Sequence, residues 1–442
     1  LLNYLSFSLS LMSLRLRSKN DWGRLDMTSE WHEVPLRELV GYISKGIAPS
    51  YAEEASESTI RVLNQKCNRN FRISYGDSRL HDTRKKKVPP ERYVKPDDIL
   101  INSTGAGTAG RIAQIEDVPS ATTIDGHMIL IRSNGKVTQK FLGYALKAHQ
   151  WEVLQLDEGS TGQTELNRDR LLDEIMINYP VSLDEQNAIV GTLESIDRKL
   201  IVNEQLNDNL RQQAQALFKK WFVDNPDAIL WKEGTFSNLI EKTISGDWGK
   251  DSPSGNNTEM VYCIRGADIP EVRAGNKGKM PTRYILPKNY AAKQLVDGDI
   301  VVEISGGSPT QSTGRAAAVS DALLARYDKG MVCTNFCKAL KPRAGYSMYV
   351  YYYWQYLYDR DIFFSYENGT TGIKNLDING FIETEPIVIA PEDLVEKFDA
   401  VCQTVFSKIY ANGMENEQLA LVRDTILPKL MSGEIDVSAV QL

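Results

Sequence analysis

A long helical stretch near the middle of the chain, from Ser182 to Phe222, constrains the fold more than any other feature. It follows Pro180, and no proline interrupts it before Pro226. Ser182 and Glu185 have the spacing of a capping box, in which the serine side chain accepts a hydrogen bond from the third amide of the helix. The stretch therefore predicts one long helix that begins at Ser182.

Apolar residues recur every three or four positions along this stretch. Such spacing predicts a narrow apolar stripe that packs against a second helix, as in a coiled coil. The predicted seam positions are Leu193, Ile196, Leu200, Leu206, Leu210, Ala214, Leu217 and Trp221. Asn203 interrupts the stripe, and a buried polar residue at a seam costs stability but can fix the register of the two helices.

A second helical stretch, from Pro391 to Leu430, is the predicted partner. Its seam positions include Phe398, Val401, Val405, Asn416, Leu419 and Ile426, and Pro428 is expected to kink or end the helix. Both stretches contain the sequence Asn-Glu-Gln-Leu, at residues 203–206 and 416–419, which favours an internal duplication. The alternative is a pair of ordinary core helices in one large domain.

The regions that precede the two helices share one plan. Each has a Trp-x-Glu sequence (residues 31–33 and 231–233), a turn before a buried strand (94–100 and 295–301) and a glycine-rich loop that ends in Gly-Arg (103–111 and 305–315). A Thr-Gly pair follows in each (161–162 and 371–372), and then an extended apolar run into the helix. Matching landmarks in one order indicate that a domain and its helix were duplicated together.

We therefore predict an α+β fold in which two duplicated α/β domains are separated and linked by two long helices that form an antiparallel coiled coil. The predicted parts are a non-structural leader (1–26), a first domain (27–180), a central helix (181–224), a second domain (225–390), a C-terminal helix (391–432) and a tail (433–442). The leader lacks the charge order and the cleavage site of a secretory signal.

Charge is distributed unevenly along the chain. The net charge of −7 argues against a generally basic nucleic-acid coat protein. Nevertheless, residues 60–96 contain eleven lysines and arginines and three acidic residues, and residues 260–293 contain seven and two. A basic block at the same place in each copy predicts two contacts with a polyanion, whereas a solvated charged surface is the alternative.

The candidate contact residues come from these blocks and from the arginine after each glycine-rich loop. In the first copy they are Lys66, Arg69, Arg72, Arg84, Lys85, Lys86, Lys87 and Arg111. In the second copy they are Arg265, Arg273, Lys277, Lys279, Arg283 and Arg315. For Arg111 and Arg315, a structural salt bridge is about as strongly expected as a phosphate contact.

No catalytic or metal-binding constellation emerges from the sequence. The loop Gly105–Gly110 matches GxGxxG, but a strand rather than a helix is predicted to follow it, which excludes a dinucleotide site. There is no GxxxxGK[ST] loop, and all four histidines lie in the first copy. The five scattered cysteines indicate a reducing compartment rather than secretion.

Three segments carry a resemblance to a known family: Tyr179-Pro180 with Glu185-Gln186, the end of the central helix (217–222), and residues 426–435. Over residues 28–437 the chain resembles the specificity subunits of type I restriction–modification systems. The leader has no counterpart in that family.

The resemblance implies that each α/β domain is a target recognition domain that reads one half of a bipartite DNA sequence, with the helices as spacer. It also implies a non-catalytic chain that binds two methyltransferase subunits and restriction–translocase subunits. S-adenosylmethionine, ATP and Mg would be bound in those partners and no cofactor in this chain. A prokaryotic cytoplasmic location at the nucleoid is expected. The alternative interpretation is a coiled-coil scaffold with two protein-recognition domains, unrelated to DNA restriction.

Overall fold

The structure, a computed structural model, describes residues 30–158, 165–308, 310–369 and 373–437. The predicted leader and both Thr-Gly pairs lie outside these residues. The chain divides into two compact units, one formed by residues up to 197 with those from 421 onward and the other by residues 198–420. Each unit contains one α/β domain and parts of both long helices.

The domain of the first unit is built on two four-stranded sheets. Its strands are β1 (Trp31–Pro35), β2 (Val40–Lys45), β3 (Tyr51–Ala52), β4 (Thr59–Leu63), β5 (Asn68–Arg69), β6 (Arg72–Ile73), β7 (Arg79–Asp82), β8 (Ile99–Asn102), β9 (Ile112–Gln114), β10 (Thr122–Ile124), β11 (Met128–Ser133), β12 (Asp157–Glu158), β13 (Glu165–Leu166) and β14 (Met176–Pro180). Its α-helices are Gln139–Ala148, Gln150–Val153 and Arg168–Glu174.

One sheet has the order β2-β11-β8-β9, with every neighbouring pair antiparallel. The other has the order β10-β4-β7-β3, in which β10 and β4 are parallel. Strand β8 is buried along its whole length, as the apolar run Ile99-Leu100-Ile101 predicts for a central strand. Strand β1 pairs with β14 and so brings the start of the domain beside the residues that lead into the central helix.

The domain of the second unit repeats this arrangement. Its strands are β15 (Lys232–Thr235), β16 (Ile240–Ser245), β17 (Glu259–Ile264), β18 (Thr282–Ile285), β19 (Ile300–Glu303), β20 (Ser305–Gly306), β21 (Ala316–Ala318), β22 (Met331–Cys333), β23 (Cys337–Pro342), β24 (Glu367–Asn368), β25 (Lys374–Leu376) and β26 (Pro386–Ile389). Its α-helices are Ile269–Arg273, Pro287–Lys293, Asp321–Leu324, Ser347–Tyr358 and Ile378–Thr384.

The sheet order β16-β23-β19-β21 matches β2-β11-β8-β9 strand for strand. The parallel pair β17 and β22 corresponds to β4 and β10, and β15 pairs with β26 as β1 pairs with β14. The predicted duplication of an α/β domain is therefore confirmed.

Two helices are much longer than the others, Leu183–Phe218 with 36 residues and Glu392–Met431 with 40. A π-helical turn, Lys219–Val223, extends the first. The oxygen of Ser182 accepts a hydrogen bond from the amide of Glu185 at 3.3 Å, which is the predicted serine cap. Pro428 lies in the last turn of the second helix, where its ring disrupts few hydrogen bonds.

Within the second unit these helices run antiparallel. Asn203 donates a hydrogen bond to Asn416 at 2.8 Å, and Asn412 donates one to Asn207 at 2.8 Å. From the first pair to the second, the residue number rises by four in one helix and falls by four in the other, so the two helices run in opposite directions. Most predicted seam residues, among them Leu200, Phe398 and Leu419, are buried.

Two predicted seam positions are wrong. Leu206 and Val401 are 38% and 40% exposed, whereas their neighbours Asn207 and Cys402 are buried. A coiled-coil seam repeats every seven residues, and Leu200 and Asn207 obey that spacing, as do Cys402, Ile409 and Asn416. The prediction followed the apolar side chain at residue 206 and so left the seam by one position.

The hydrogen bonds also give the register of the duplication within the helices. Asn416 donates to the carbonyl oxygen of Leu200 at 3.3 Å, and Asn207 donates to that of Ile409 at 3.0 Å. These two bonds are equivalent if Asn207 corresponds to Asn416 and Leu200 to Ile409. The shared sequence Asn-Glu-Gln-Leu therefore lies about one helical turn out of structural register.

In the first unit, a buried ionic cluster fixes helix Gln139–Ala148 to the long helices. Asp197 accepts hydrogen bonds from Tyr144 at 2.9 Å, Lys147 at 3.2 Å and Arg423 at 2.9 Å. Burial raises the pKa of Asp197, but the two cations more than offset this and hold that pKa below its usual value. Only 18% of the Asp197 side chain is exposed.

Candidate nucleic-acid interface

A tight turn between β10 and β11, residues 125–127, is the centre of the candidate surface in the first domain. The amide of Asp125 donates to the carbonyl of Leu63, and the amide of Met128 donates to the carbonyl of Asp125. The carbonyl of His127 accepts a hydrogen bond from Ser103 at 2.8 Å. Asp125 is buried, whereas His127 is exposed on a turn whose backbone is fixed by these hydrogen bonds.

The basic segment 84–87 lies beside this turn because the chain at 46–48 contacts both. Gly46 donates to the carbonyl of Met128 at 3.0 Å, and a Cβ at Gly46 would lie 2.1 Å from the carbonyl oxygen of Asp125. Glycine is therefore required at this close approach. Two residues further, Ala48 accepts a hydrogen bond from the ammonium of Lys86 at 2.9 Å.

A buried histidine anchors the same segment. Nδ1 of His81 accepts a hydrogen bond from the amide of Ser50 at 2.9 Å, so in the neutral ring the proton is on Nε2. Nε2 lies 2.7 Å from the carbonyl oxygen of Lys86 and donates to it. His81 thus has a structural role, and it holds the exposed side chains of Lys85 and Lys87 next to the turn.

The second domain has the same construction with different side chains. The turn 334–336 links β22 to β23, and a Cβ at Gly246 would lie 1.9 Å from the carbonyl oxygen of Thr334. The carbonyl of Gly246 accepts a hydrogen bond from Lys293 at 2.9 Å, and that of the equivalent Gly46 accepts one from Arg92 at 3.5 Å. The helix Pro287–Lys293 lies between β18 and β19, where the first domain has the basic segment 84–87 between β7 and β8.

The glycine-rich loops form the adjoining part of each surface. In the first domain, Oγ1 of Thr104 lies 2.7 Å from Nδ1 of His127, and Leu166 donates to the carbonyl of Ser103. In the second, Ser305 and Asn375 hydrogen-bond to each other through their side chains at 2.5 Å. Strand β9 begins at Ile112, directly after the first loop, as predicted for a loop that binds no dinucleotide.

Three of the predicted contact arginines instead bind carboxylates within their own domain. Arg315 donates to Glu303 at 2.7 and 2.8 Å, and Arg265 donates to Asp268 at 2.9 Å. Arg283 has only 5% of its side chain exposed, and it bonds to the carbonyl of Trp248 and to Asp251. These arginines stabilise the second domain, so the prediction of a DNA contact is corrected for all three.

Arg273 and Lys277 flank a segment that packs on the helix pair. The carbonyl of Ala274 accepts a hydrogen bond from Asn207 at 3.0 Å, and a Cβ at Gly413 would lie 1.9 Å from the carbonyl oxygen of Gly275. The ammonium of Lys277 lies 4.6 Å from the ring of Tyr327. Part of the second basic block therefore packs on the long helices. The count of basic residues could not distinguish this segment from a surface that contacts DNA.

Other predicted residues remain at the surface. Lys66, Arg69, Lys85, Lys86, Lys87 and Lys279 are exposed, and Arg72 is half-buried. Arg84 is also exposed and pairs with Asp82 at 3.2 Å, and this contact lowers the pKa of the Asp82 carboxyl. Arg111 donates to the carbonyl of Gly107 in its own loop at 3.2 Å.

Sequence reasoning missed the equivalent of segment 84–87 in the second domain. Lys288 is exposed on helix Pro287–Lys293, Asn289 donates to Asp247 at 2.7 Å, and Lys293 donates to Gly246. Only the position of this helix in the strand order could have identified these residues, since it lies between β18 and β19 as segment 84–87 lies between β7 and β8.

The cysteines have no reactive environment. Cys67, Cys263, Cys333, Cys337 and Cys402 are all free and buried. Burial raises the pKa of Cys263 and of Cys337 to about 12, so neither is a thiolate at neutral pH. Among the described residues, no group of histidine, cysteine and acidic side chains could hold a metal ion, and no helix could cross a membrane.

These features define a class of proteins in which two duplicated α/β domains and two long helices form one chain. The family model of the type I restriction modification DNA specificity domain matches residues 28–212. The specificity subunit of the type I restriction enzyme MjaIX from Methanocaldococcus jannaschii is 27% identical over 337 residues, which are 72% of this chain and 73% of that protein.

The specificity subunit of the type I restriction enzyme HindI from Haemophilus influenzae is 21% identical, over 92% of this chain and 100% of that protein. The crystal structure of a type I restriction–modification S subunit from M. genitalium has a TM-score of 0.51 at 16% identity, covering 92% of this chain and 98% of the other, and so supports the fold. Residues 28–212 thus match a type I restriction modification DNA specificity domain, and over most of its length the chain is similar to type I specificity subunits.

Proposed function

We propose that this chain is the specificity subunit of a type I restriction–modification complex, that it binds double-stranded DNA, and that each domain reads one half of a bipartite target while the paired helices act as a spacer. The observation that carries the proposal is the equivalent surface on both domains, in which a turn, a glycine-rich loop and lysines adjoin. Lysines next to exposed loops suit a polyanion with a sequence to be read, since phosphate contacts position a protein and loop side chains reach base edges.

The chemistry would be performed by other subunits. We infer two methyltransferase subunits and restriction–translocase subunits as partners, with S-adenosylmethionine, ATP and Mg bound in them and none required by this chain. The buried, protonated cysteines and the structural role of His81 favour a non-catalytic chain. Such a complex would act at the nucleoid in the cytoplasm of a prokaryote.

The experiment is to purify the chain together with candidate methyltransferase subunits and to map methylated adenines in genomic DNA by sequencing. The proposal expects one bipartite sequence to be methylated, and no methylation when the chain is left out. Methylation without a common sequence, or with the same sequence in the absence of the chain, would contradict it. A protein-recognition scaffold would leave the methylation pattern unchanged.

A further inference from the structure

We infer that the rings of His127 and Phe336 are specificity-determining contacts to DNA bases, one in each half of the target. The inference rests on the proposed DNA-binding function and deepens it. The two residues occupy the same place in the two domains, at the last position of the turn between equivalent strands. Neither was among the residues predicted from charge.

Matching backbone hydrogen bonds establish the equivalence. The amides of Asp125 and Thr334 donate to the carbonyls of Leu63 and Ile264, the residues that end β4 and β17. The carbonyls of His127 and Phe336 accept from Ser103 and Ile304, at 2.8 and 2.9 Å. Each ring therefore projects from the same backbone position, at the start of the glycine-rich loop.

The exposure of Phe336 is not explained by folding. Its side chain is 60% exposed, while Thr334 and Cys337 on either side of the turn are 3% and 0% exposed. A single exposed apolar residue is ordinary, but the turn that carries this ring packs on Gly246, whose carbonyl accepts a hydrogen bond from Lys293. The turn that carries His127 packs on Gly46, two residues before the Ala48 carbonyl that binds Lys86. An exposed aromatic ring on a turn that packs against a lysine-binding segment suits a contact with DNA bases, while the lysines bind the phosphates.

The two rings would read bases by different chemistry. Phe336 offers only an apolar contact, which fits the C5-methyl group of thymine in the major groove. His127 is held through Nδ1 by Thr104 at 2.7 Å, which leaves Nε2 for a hydrogen bond to a purine edge. The half-site read by the second domain should therefore contain a thymine whose methyl group matters.

The test uses the full complex with its methyltransferase subunits and a pool of duplexes randomised at the target, sequenced after selection for binding. Phe336→Ala should reduce the preference at one base pair of one half-site about tenfold, and His127→Ala should do so in the other half-site only. Replacement of the preferred thymine by uracil should weaken DNA binding by the wild-type complex but leave DNA binding by the Phe336→Ala complex unchanged. Ile229→Ala, which changes an 88% exposed apolar residue of the same unit, is the matched control and should change neither preference.

Phe336→Leu guards against misfolding, since it keeps an apolar side chain at the turn and should retain part of the preference. An unchanged preference in Phe336→Ala, or an equal loss of affinity for all sequences, would overturn the inference. In either case the wild-type complex would still select a bipartite sequence. If the wild-type complex itself selected no sequence, the proposed function would fail instead.

Discussion

Asn203 and Asn416 hydrogen-bond to each other in the middle of the helix pair, with Nδ2 of Asn203 2.8 Å from Oδ1 of Asn416. Asn207 and Asn412 form a second pair of the same kind. All four amides are buried, with exposed fractions of 9% or less. Since a shift by one heptad would leave these amides facing apolar side chains, they select one register of the antiparallel helices.

The asparagine pairs give the first prediction. Asn416→Leu should lower the free energy of unfolding by about 1–3 kcal/mol, because it removes two buried hydrogen bonds, one to the amide of Asn203 and one to the carbonyl of Leu200, and leaves Glu415 as acceptor for Asn203. The double variant Asn203→Leu with Asn416→Leu should recover much of that loss, since neither amide remains. Urea denaturation measures both, and Leu206→Ala at an exposed position is the control. If the double variant lost more free energy of unfolding than the two single variants' losses added together, the account would be contradicted.

The lysines of segment 84–87 give a second prediction. Replacing Lys85, Lys86 and Lys87 by alanine should weaken binding to all DNA sequences, because fewer condensed cations would be released from the phosphates. The slope of log K against log[salt] should become shallower by about 0.9 for each phosphate that the protein no longer neutralises. Titrations at several salt concentrations measure this, with the exposed Lys397→Ala on the C-terminal helix as control. An unaltered slope would show that the segment does not touch DNA.

A third prediction concerns Arg315, whose replacement shows whether this arginine stabilises the domain or contacts DNA. Its partner Glu303 is only 7% exposed, so Arg315→Ala would leave a buried carboxylate without its counter-charge. We expect a loss of about 2–4 kcal/mol in the free energy of unfolding and no change in the salt slope of DNA binding. Thermal or urea unfolding and salt titration of the same variant provide both values. A stable variant with a reduced slope would restore Arg315 to the DNA surface.

The cluster around Asp197 predicts a pH dependence. Because the folded-state pKa of Asp197 is lowered, its ionisation stabilises the fold above the unfolded pKa of about 3.9, and this stabilisation is lost as the pH falls towards the folded pKa. Asp197→Asn should be less stable at neutral pH by about 3 kcal/mol, since Lys147 and Arg423 lose their counter-charge.

The difference between wild type and Asp197→Asn should shrink as the pH is lowered from about 6 to about 3. Urea denaturation across this range checks it. Asp173→Asn serves as control, because its partner Arg37 is half exposed and the pair is at the surface. A difference that stayed constant with pH would mean that Asp197 is not ionised in the folded protein.

The features that could be predicted from the sequence are those with a regular residue spacing or a second copy in the chain. The helix cap at Ser182, the two long helices and the duplicated domain follow from spacing and from matching landmarks, which depend little on the detailed packing. The predicted seam was wrong at Leu206 because the residue at the seam position, Asn207, is polar, and it was wrong at Val401 because the adjacent Cys402 occupies the seam position.

The candidate surface was less predictable for a physical reason. A lysine or arginine in a basic block has the same sequence signal whether it contacts a phosphate or pairs with a carboxylate that is distant in the sequence. Arg283 and Asp251 are separated by 32 residues and meet only in the fold. His127 and Phe336 carried no signal, since their shared position depends on strand pairing rather than on residue type.

The central claim is that each copy of the duplicated unit reads DNA independently, and one exchange tests it most directly. Residues 27–180 are replaced by the matching domain of another specificity subunit, and the methylated sequence is mapped by genomic sequencing with the same methyltransferase subunits. We predict that one half-site changes to that of the donor while the other half-site stays the same. A change in both half-sites, or in neither, would contradict the account.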